Sequence, residues 1–167
     1  MANMLKAMRE AKVFTSWLNP SEPHEEAMKQ FVEAVLHPEN TAFREDFVAF
    51  ERRIANLGVY NSLAQVAVKI AAPGVPDFYQ GTEVWDFSLV DPDNRRPVDY
   101  ELRKRLLDSN SSGKLRVIRK GLEVRRKYPQ LFHGAKYTPL YADGGREDNI
   151  IAFSLSDAKS CVVAVAP

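Results

Sequence analysis

The chain has 167 residues, 45% of them apolar, which allows one ordinary domain or a smaller core joined to a piece of a second. A formal net charge of +1 gives no broad field for nucleic acid or an anionic membrane surface, so neither is expected as a partner. The single cysteine, Cys161, excludes an internal disulfide and a thiolate metal cluster, and it suits a reducing, cytoplasmic setting.

No apolar run approaches the roughly 20 residues that span a bilayer, and the opening Met1-Ala2-Asn3-Met4-Leu5-Lys6 lacks a signal-peptide apolar core. Neither a membrane segment nor a targeting segment is expected. Leu5, Met8, Val13 and Trp17 flank charged residues at helical spacing, which predicts a first helix running towards Asn19-Pro20. Ser21 is placed as an N-cap, Pro23 fits a first turn, and Glu25 and Glu26 suit the positive end of a second helix that stops near Leu36.

Beyond His37-Pro38, Thr41 is expected to cap a third helix carrying Phe43, Phe47, Phe50, Ile54 and Leu57, with Gly58 as its stop. Leu63, Val66, Ala67 and Ile70 then read as a fourth helix, ended by Pro73-Gly74. The aromatic stripe is read as core packing. His24, His37 and His133 are too scattered for a metal motif, and no metal site is expected.

Val75-Pro76-Asp77-Phe78-Tyr79 can form a short buried strand that empties into the polar loop Gln80-Gly81-Thr82-Glu83. In parallel α/β barrels such loops lie on the catalytic face. The following stretch, Val84 to Tyr100, mixes Trp85 with Asp91, Asn94, Arg95 and Arg96. Aromatic faces pack on the C–H face of a pyranose, while Asp, Asn and Arg bond its hydroxyls directionally. From composition alone the plainer account is favoured: Asp-Pro-Asp-Asn as turn chemistry, the Arg and Asp residues as structural ion pairs, and Trp85 as packing.

Pro73-Gly74-Val75-Pro76-Asp77-Phe78-Tyr79-Gln80-Gly81-Thr82-Glu83 resembles the last barrel strand of α-amylase-family enzymes, where Gly-x-Pro leads into Tyr-x-Gly-x-Glu. Continued through Trp85-Asp86-Phe87-Ser88-Leu89-Val90-Asp91-Pro92-Asp93-Asn94-Arg95-Arg96-Pro97-Val98-Asp99, it is similar to maltooligosyl trehalose synthases in particular. Ala11 to Pro20 and Asn61 to Gln65 resemble upstream segments of those enzymes, and Leu122 to Gly134 resembles their last barrel helix. Two departures stand out. Leu107 to Lys114 is shorter than the family connection and has a flexible linker's composition; Tyr137–Tyr141, Asn149–Ser156 and Cys161–Ala166 read as strands too few for a complete sandwich. Cys161 is read as a small buried residue in the last of them.

The resemblance implies a helix-rich α+β chain: residues 1–134 as the closing part of a (β/α)8 barrel, and 135–167 as the start of an incomplete β-sandwich. It implies a parent enzyme that converts the reducing-end α-1,4 bond of a maltooligosaccharide to an α,α-1,1 bond, with no cofactor. The family's catalytic carboxylates lie upstream, so none is assigned in this chain, which is expected to be inactive alone. Substrate contact is assigned to Tyr79, Gln80, Glu83, Trp85, Asp91, Asn94, Arg95 and Arg96. The implied partners are a maltooligosaccharide and the missing N-terminal part of the same enzyme. Of Arg95 and Arg96, one is expected to face the loop's acids and the other solvent or sugar. Another α-glucan hydrolase or transglycosylase, a non-catalytic carbohydrate-binding module and a helical interaction domain are the alternatives.

Overall fold

The computed structural model describes residues Met1–Pro167. The chain is helix-rich, carries one three-stranded antiparallel sheet, and divides into two compact units. The first comprises Met1–Ile54 with Phe87–Pro97, the second Ala55–Asp86 with Val98–Pro167.

In the first unit, α1 (Ala2–Ala11) ends where Lys12 turns left-handed at φ 56°. The helix expected to reach Asn19-Pro20 therefore stops short, because a left-handed residue cannot continue the i→i−4 ladder. A turn follows in which Ser16 N–H donates to Asn19 O at 3.1 Å and Asn19 N–H to Ser16 Oγ at 2.9 Å. Helix α2 (Glu22–Val35) begins after Ser21 with Pro23 in its first turn, as the sequence predicts, and its first-turn acids are Glu22 and Glu25 rather than Glu25 and Glu26. Ser21 sits at the N-cap without a side-chain cap bond; its own N–H donates to Thr15 Oγ1 at 2.9 Å.

Helix α3 (Thr41–Ala71) is continuous over 31 residues where two helices were expected. Gly58 lies inside it. A helical glycine costs about 1 kcal/mol relative to Ala, less than the hydrogen bonds on both sides return, so glycine alone did not mark a stop. Thr41 is the first helical residue rather than the cap, and Asn40 O accepts from Arg44 N–H at 3.2 Å. Pro73-Gly74 does follow the end of the helix. Phe43 and Phe47 stack with centroids 5.4 Å apart, yet Phe43, Phe47 and Phe50 are all exposed, Phe50 at 61%, and Thr15 is the unit's one buried residue. The aromatic stripe is thus not core within this unit.

The second unit holds the rest of α3, then α4 (Tyr100–Ser109), α5 (Gly113–Lys127), α6 (Pro129–His133), β1 (Lys136–Leu140), β2 (Ile151–Ser156) and β3 (Cys161–Ala166). Asp99 caps α4 by accepting from Leu102 N–H at 2.8 Å, and Ser112 caps α5 from Leu115 N–H at 3.4 Å. With Asn110 left-handed at φ 53°, the Ser-Asn-Ser-Ser-Gly stretch is a capped turn between helices rather than a flexible linker. The sheet order is β1-β2-β3, and Phe153 faces Pro139 on one side and Ala164 on the other. At the β2–β3 turn Asp157 Oδ1 accepts from Lys159 N–H at 2.8 Å and Ser160 N–H at 2.7 Å.

Leu131, Phe132, Phe153 and Leu155 form one buried cluster, and Val66, Ile70 and Ile118 a second, with Phe78 packed on the latter. Cys161 is exposed, contrary to expectation. Strand alternation puts it on the outer side with Val163 and Val165, while Val162 and Ala164 pack on the core. Val75–Tyr79 forms no sheet ladder. Pro76 has no N–H to give, and the elements around this segment in the unit are helices. No helix is long and apolar enough to cross a membrane.

Candidate functional site

The eight residues assigned to substrate contact fall in both units, Tyr79, Gln80, Glu83 and Trp85 in the second and Asp91, Asn94, Arg95 and Arg96 in the first. In the second unit, Tyr79 to Thr82 form a tight turn: Thr82 donates to Tyr79 O from its N–H at 3.2 Å and from Oγ1 at 2.7 Å. Gly81 takes φ 94°, a value that glycine adopts freely and L side chains resist. Tyr79 and Gln80 are exposed at the tip, and Trp85 is 38% exposed. Glu83 is committed to Arg103, whose Nε reaches its Oε2 at 3.0 Å. Lys114 is 6% exposed; its Nζ donates to Val84 O at 3.3 Å and lies 5.7 Å from the Trp85 ring centroid. Burial pushes the Lys114 ammonium below its ordinary range, opposed by the charges of Asp86 and Glu83.

In the first unit Asp93–Arg95 form a single 3-10 turn. That turn brings Arg95 onto Asp91 and Arg96 onto Asp93, with Arg96 Nη2 at 3.2 Å from Asp93 Oδ1. Arg96 also donates to Ser88 Oγ at 2.9 Å, while Asp93 Oδ2 accepts from Leu89 N–H at 2.9 Å. The expected division between the arginines is absent, because spacings of four and three around a tight turn give each its own aspartate. Both guanidinium side chains remain about two-thirds exposed, at 69% and 67%. The bond from Arg95 holds the Asp91 carboxyl below the ordinary aspartate range, and Asn94 adds a weaker hydrogen bond. Asn94 Oδ1 is enclosed without a partner.

A hollow of about 570 Å³ opens beside this turn, lined by Lys6, Arg9, Glu10, Trp17, Asp91 and Arg95 among others. Trp17 is 56% exposed with the Arg9 guanidinium 5.0 Å from its ring centroid. Arg9 is itself fixed from α2 by Glu25, through Nε–Oε1 at 2.8 Å and Nη2–Oε2 at 2.7 Å. The Arg9 bonds and the Thr15 hydroxyl, 2.6 Å from Oε1, lower the Glu25 carboxyl from 4.5 to about 2. Sequence reasoning did not single out Arg9, Trp17 and Lys6, which line this hollow. The available signal was the tryptophan of Thr-Ser-Trp-Leu-Asn-Pro, which helical periodicity had counted with the first helix. The hollow presents an aromatic face rimmed by fixed charges of both signs, a surface able to hold a polyhydroxylated ring by stacking and directional hydrogen bonds. No three His, Cys, Asp or Glu side chains gather to hold a metal ion.

No family model matches the chain. In sequence it is 38% identical over 152 residues to a Mycobacterium tuberculosis (strain CDC 1551 / Oshkosh) protein assigned as a maltooligosyl trehalose synthase, a match covering 91% of this chain and 20% of the relative. In structure it is similar to the maltooligosyltrehalose synthase from Arthrobacter ramosus, with a TM-score of 0.81 at 37% identity over 99% of this chain and 22% of that one. A hypothetical maltooligosyl trehalose synthase of Sulfolobus tokodaii gives a TM-score of 0.80 at 38% identity, over 98% and 23%. The chain thus spans about a fifth of the length of the relatives it matches. In sequence and in fold it is a relative of the C-terminal part of maltooligosyl trehalose synthases.

Proposed function

We propose that this chain is the C-terminal part of an α-amylase-family enzyme that turns the reducing-end α-1,4 bond of a maltooligosaccharide into an α,α-1,1 bond without hydrolysis. Residues 1–134 are read as the closing part of its catalytic barrel and 135–167 as the start of its terminal β-sandwich, in a cytoplasmic protein. The observation that carries the reading is the match itself, 38% identity over 152 residues. Chance does not keep that identity across helices, turns and strands together.

In this role the chain supplies grip rather than bond chemistry. Retaining rearrangement of a glycosidic bond needs a nucleophilic carboxylate and an acid–base carboxylate roughly 5 to 5.5 Å apart across the bond. Asp91 and Glu83 are each tied to an arginine, Asp91 to Arg95, which favours its anion, and Glu83 to Arg103, and such fixed pairs suit orientation more than proton transfer. Tyr79, Gln80 and Trp85 offer ring faces and an amide to a glucan, with Glu83 steadying their turn. Asp91, Asn94, Arg95 and Arg96 form a second contact set, of which Asp91 and Arg95 line the hollow with Trp17.

Sequencing the gene upstream of this segment tests the reading. An open frame encoding the earlier part of a barrel, with paired acidic residues at its strand ends, is the expected result. An upstream frame without such a barrel segment would overturn it.

A further inference from the structure

Gly74 to Trp85 crosses the second unit with no sheet partner, and its carbonyls are held by side chains instead. At intervals of three or four residues, four of its carbonyls accept from four basic side chains. Arg125 Nη2 donates to Gly74 O; Lys69 Nζ reaches Asp77 O at 2.9 Å, Arg103 Nη2 reaches Gly81 O at 2.6 Å, and Lys114 Nζ reaches Val84 O at 3.3 Å. These donors come from α3, α4 and α5. Two also lie over neighbouring rings, Lys69 over Phe78 at 4.7 Å and Lys114 over Trp85 at 5.7 Å. Arg125 further bonds Ile70 O at 2.6 Å and Ala72 O at 2.9 Å, joining the end of α3 to the start of the segment. Ionised donors make hydrogen bonds about twice as strong as neutral ones. The series therefore takes the place of a ladder in holding a segment that has no sheet partner.

Arg103 is the one of the four that binds both the backbone of the Gly81–Glu83 turn and a side chain in it. Besides Gly81 O it bonds Glu83 Oε2 at 3.0 Å and Asp99 O at 2.9 Å, so one planar fork ties the turn to the start of α4. Its side chain is 17% exposed. We propose that Arg103 is a positioning residue that sets the Gly81–Glu83 turn, and through it the presentation of Tyr79, Gln80 and Trp85, with Lys69, Lys114 and Arg125 completing a cationic clamp. This rests on the glucan-binding reading for its purpose and on the hydrogen bonds alone for its mechanics. Lysine cannot reproduce the fork, because one ammonium cannot face Gly81 O and Glu83 in the same plane.

The test uses the full chain with Arg103→Gln, Arg103→Lys and Lys114→Met, each first shown to be folded by circular dichroism. Chymotrypsin cleavage after Phe78, Tyr79 and Trp85, mapped by mass spectrometry, reads the order of the segment; titration with maltopentaose reads its use. Arg103→Gln is expected to raise cleavage at these sites about ten-fold and weaken maltopentaose binding about ten-fold, the scale of one lost charged hydrogen bond. Arg103→Lys should fall between it and the native chain in both. Lys114→Met should loosen the Trp85 site more than the Tyr79 site, which keeps the clamp testable if Arg103→Gln fails to fold. Unchanged cleavage in folded Arg103→Gln would overturn the clamp. Faster cleavage with native affinity would overturn the positioning role. A native chain that binds no maltopentaose would defeat the glucan reading, while the cleavage rates would still judge the clamp.

Discussion

Arg9 and Glu25 meet in a two-pronged ion pair that joins α1 to α2, at 2.8 and 2.7 Å, with the Thr15 hydroxyl on the same carboxylate. Thr15, 4% exposed, also takes the Ser21 N–H, so the link from the turn to the start of α2 runs through this carboxylate. Its pKa is lowered from 4.5 to about 2. A depressed carboxyl stabilises the fold above its unfolded value and loses that effect as pH falls through its folded value. The first unit should therefore weaken between about pH 4.5 and 2, and Glu25→Gln should remove this dependence while lowering stability at pH 7. Helical circular dichroism of both proteins across that range checks it. Identical acid profiles would contradict the assignment.

Gly121 on α5 faces Ile70 on α3, and a Cβ there would stand 2.5 Å from Ile70 Cγ2. Ile70 is 4% exposed and belongs to a buried cluster. Gly121→Ala gains about 1 kcal/mol of helix propensity but overpacks the core at a cost of about 1–3 kcal/mol. The expected result is a net loss of stability in denaturant unfolding, the opposite of what an exposed helical glycine would give. Gly58 on α3, with nothing within 4 Å of its added Cβ, is the control, and Gly58→Ala should stabilise.

Arg95 and Arg96 carry separate aspartates on an exposed turn, so Arg95→Lys and Arg96→Lys should each change stability by less than about 1 kcal/mol. If Arg95 lines a sugar site, Arg95→Lys should nevertheless weaken maltopentaose binding by about ten-fold. Calorimetry beside thermal melts separates these. A large fall in melting temperature with unchanged affinity would make the pair purely structural.

Gly81→Ala should destabilise the Tyr79–Thr82 turn by about 1–2 kcal/mol, through backbone strain rather than crowding. The nearest atoms to an added Cβ, on Arg103 and Val98, lie at 3.5 Å, ordinary contact distance, while φ is 94°. Ala and Ser at this position should therefore lose stability equally, as equilibrium unfolding would show.

What the sequence made legible was local. Ser21 and Pro23 mark the start of α2, Ser21 by position rather than by a cap bond, and Asp157 turns β2 into β3 through its own carboxylate; each depends on residues next to one another in the chain. What it concealed was competition. Gly58 resembles a stop, but the flanking residues sustain α3; Val75–Tyr79 has a strand's composition, but pairing needs a neighbour that composition cannot report. Cys161 lies on the outer side of β3 because strand parity sets its direction, whatever its usual preference for burial. Trp17 was counted with a helix that ends at Lys12, so its place in a charged hollow came only with the left-handed turn that releases it. The Asp91–Arg95 and Asp93–Arg96 pairs follow from spacing once the turn is known.

Product analysis with maltopentaose tests the central claim most directly. Folded, monodisperse chain is incubated beside the enzyme encoded by the complete upstream frame, and products are separated by chromatography. The complete enzyme should yield a non-reducing maltooligosyl trehalose, and the chain alone neither that product nor shorter glucans, since binding groups cannot replace a nucleophile and proton donor set across the bond. Turnover by the chain alone that disappears with Glu83→Gln or Asp91→Asn would contradict the account.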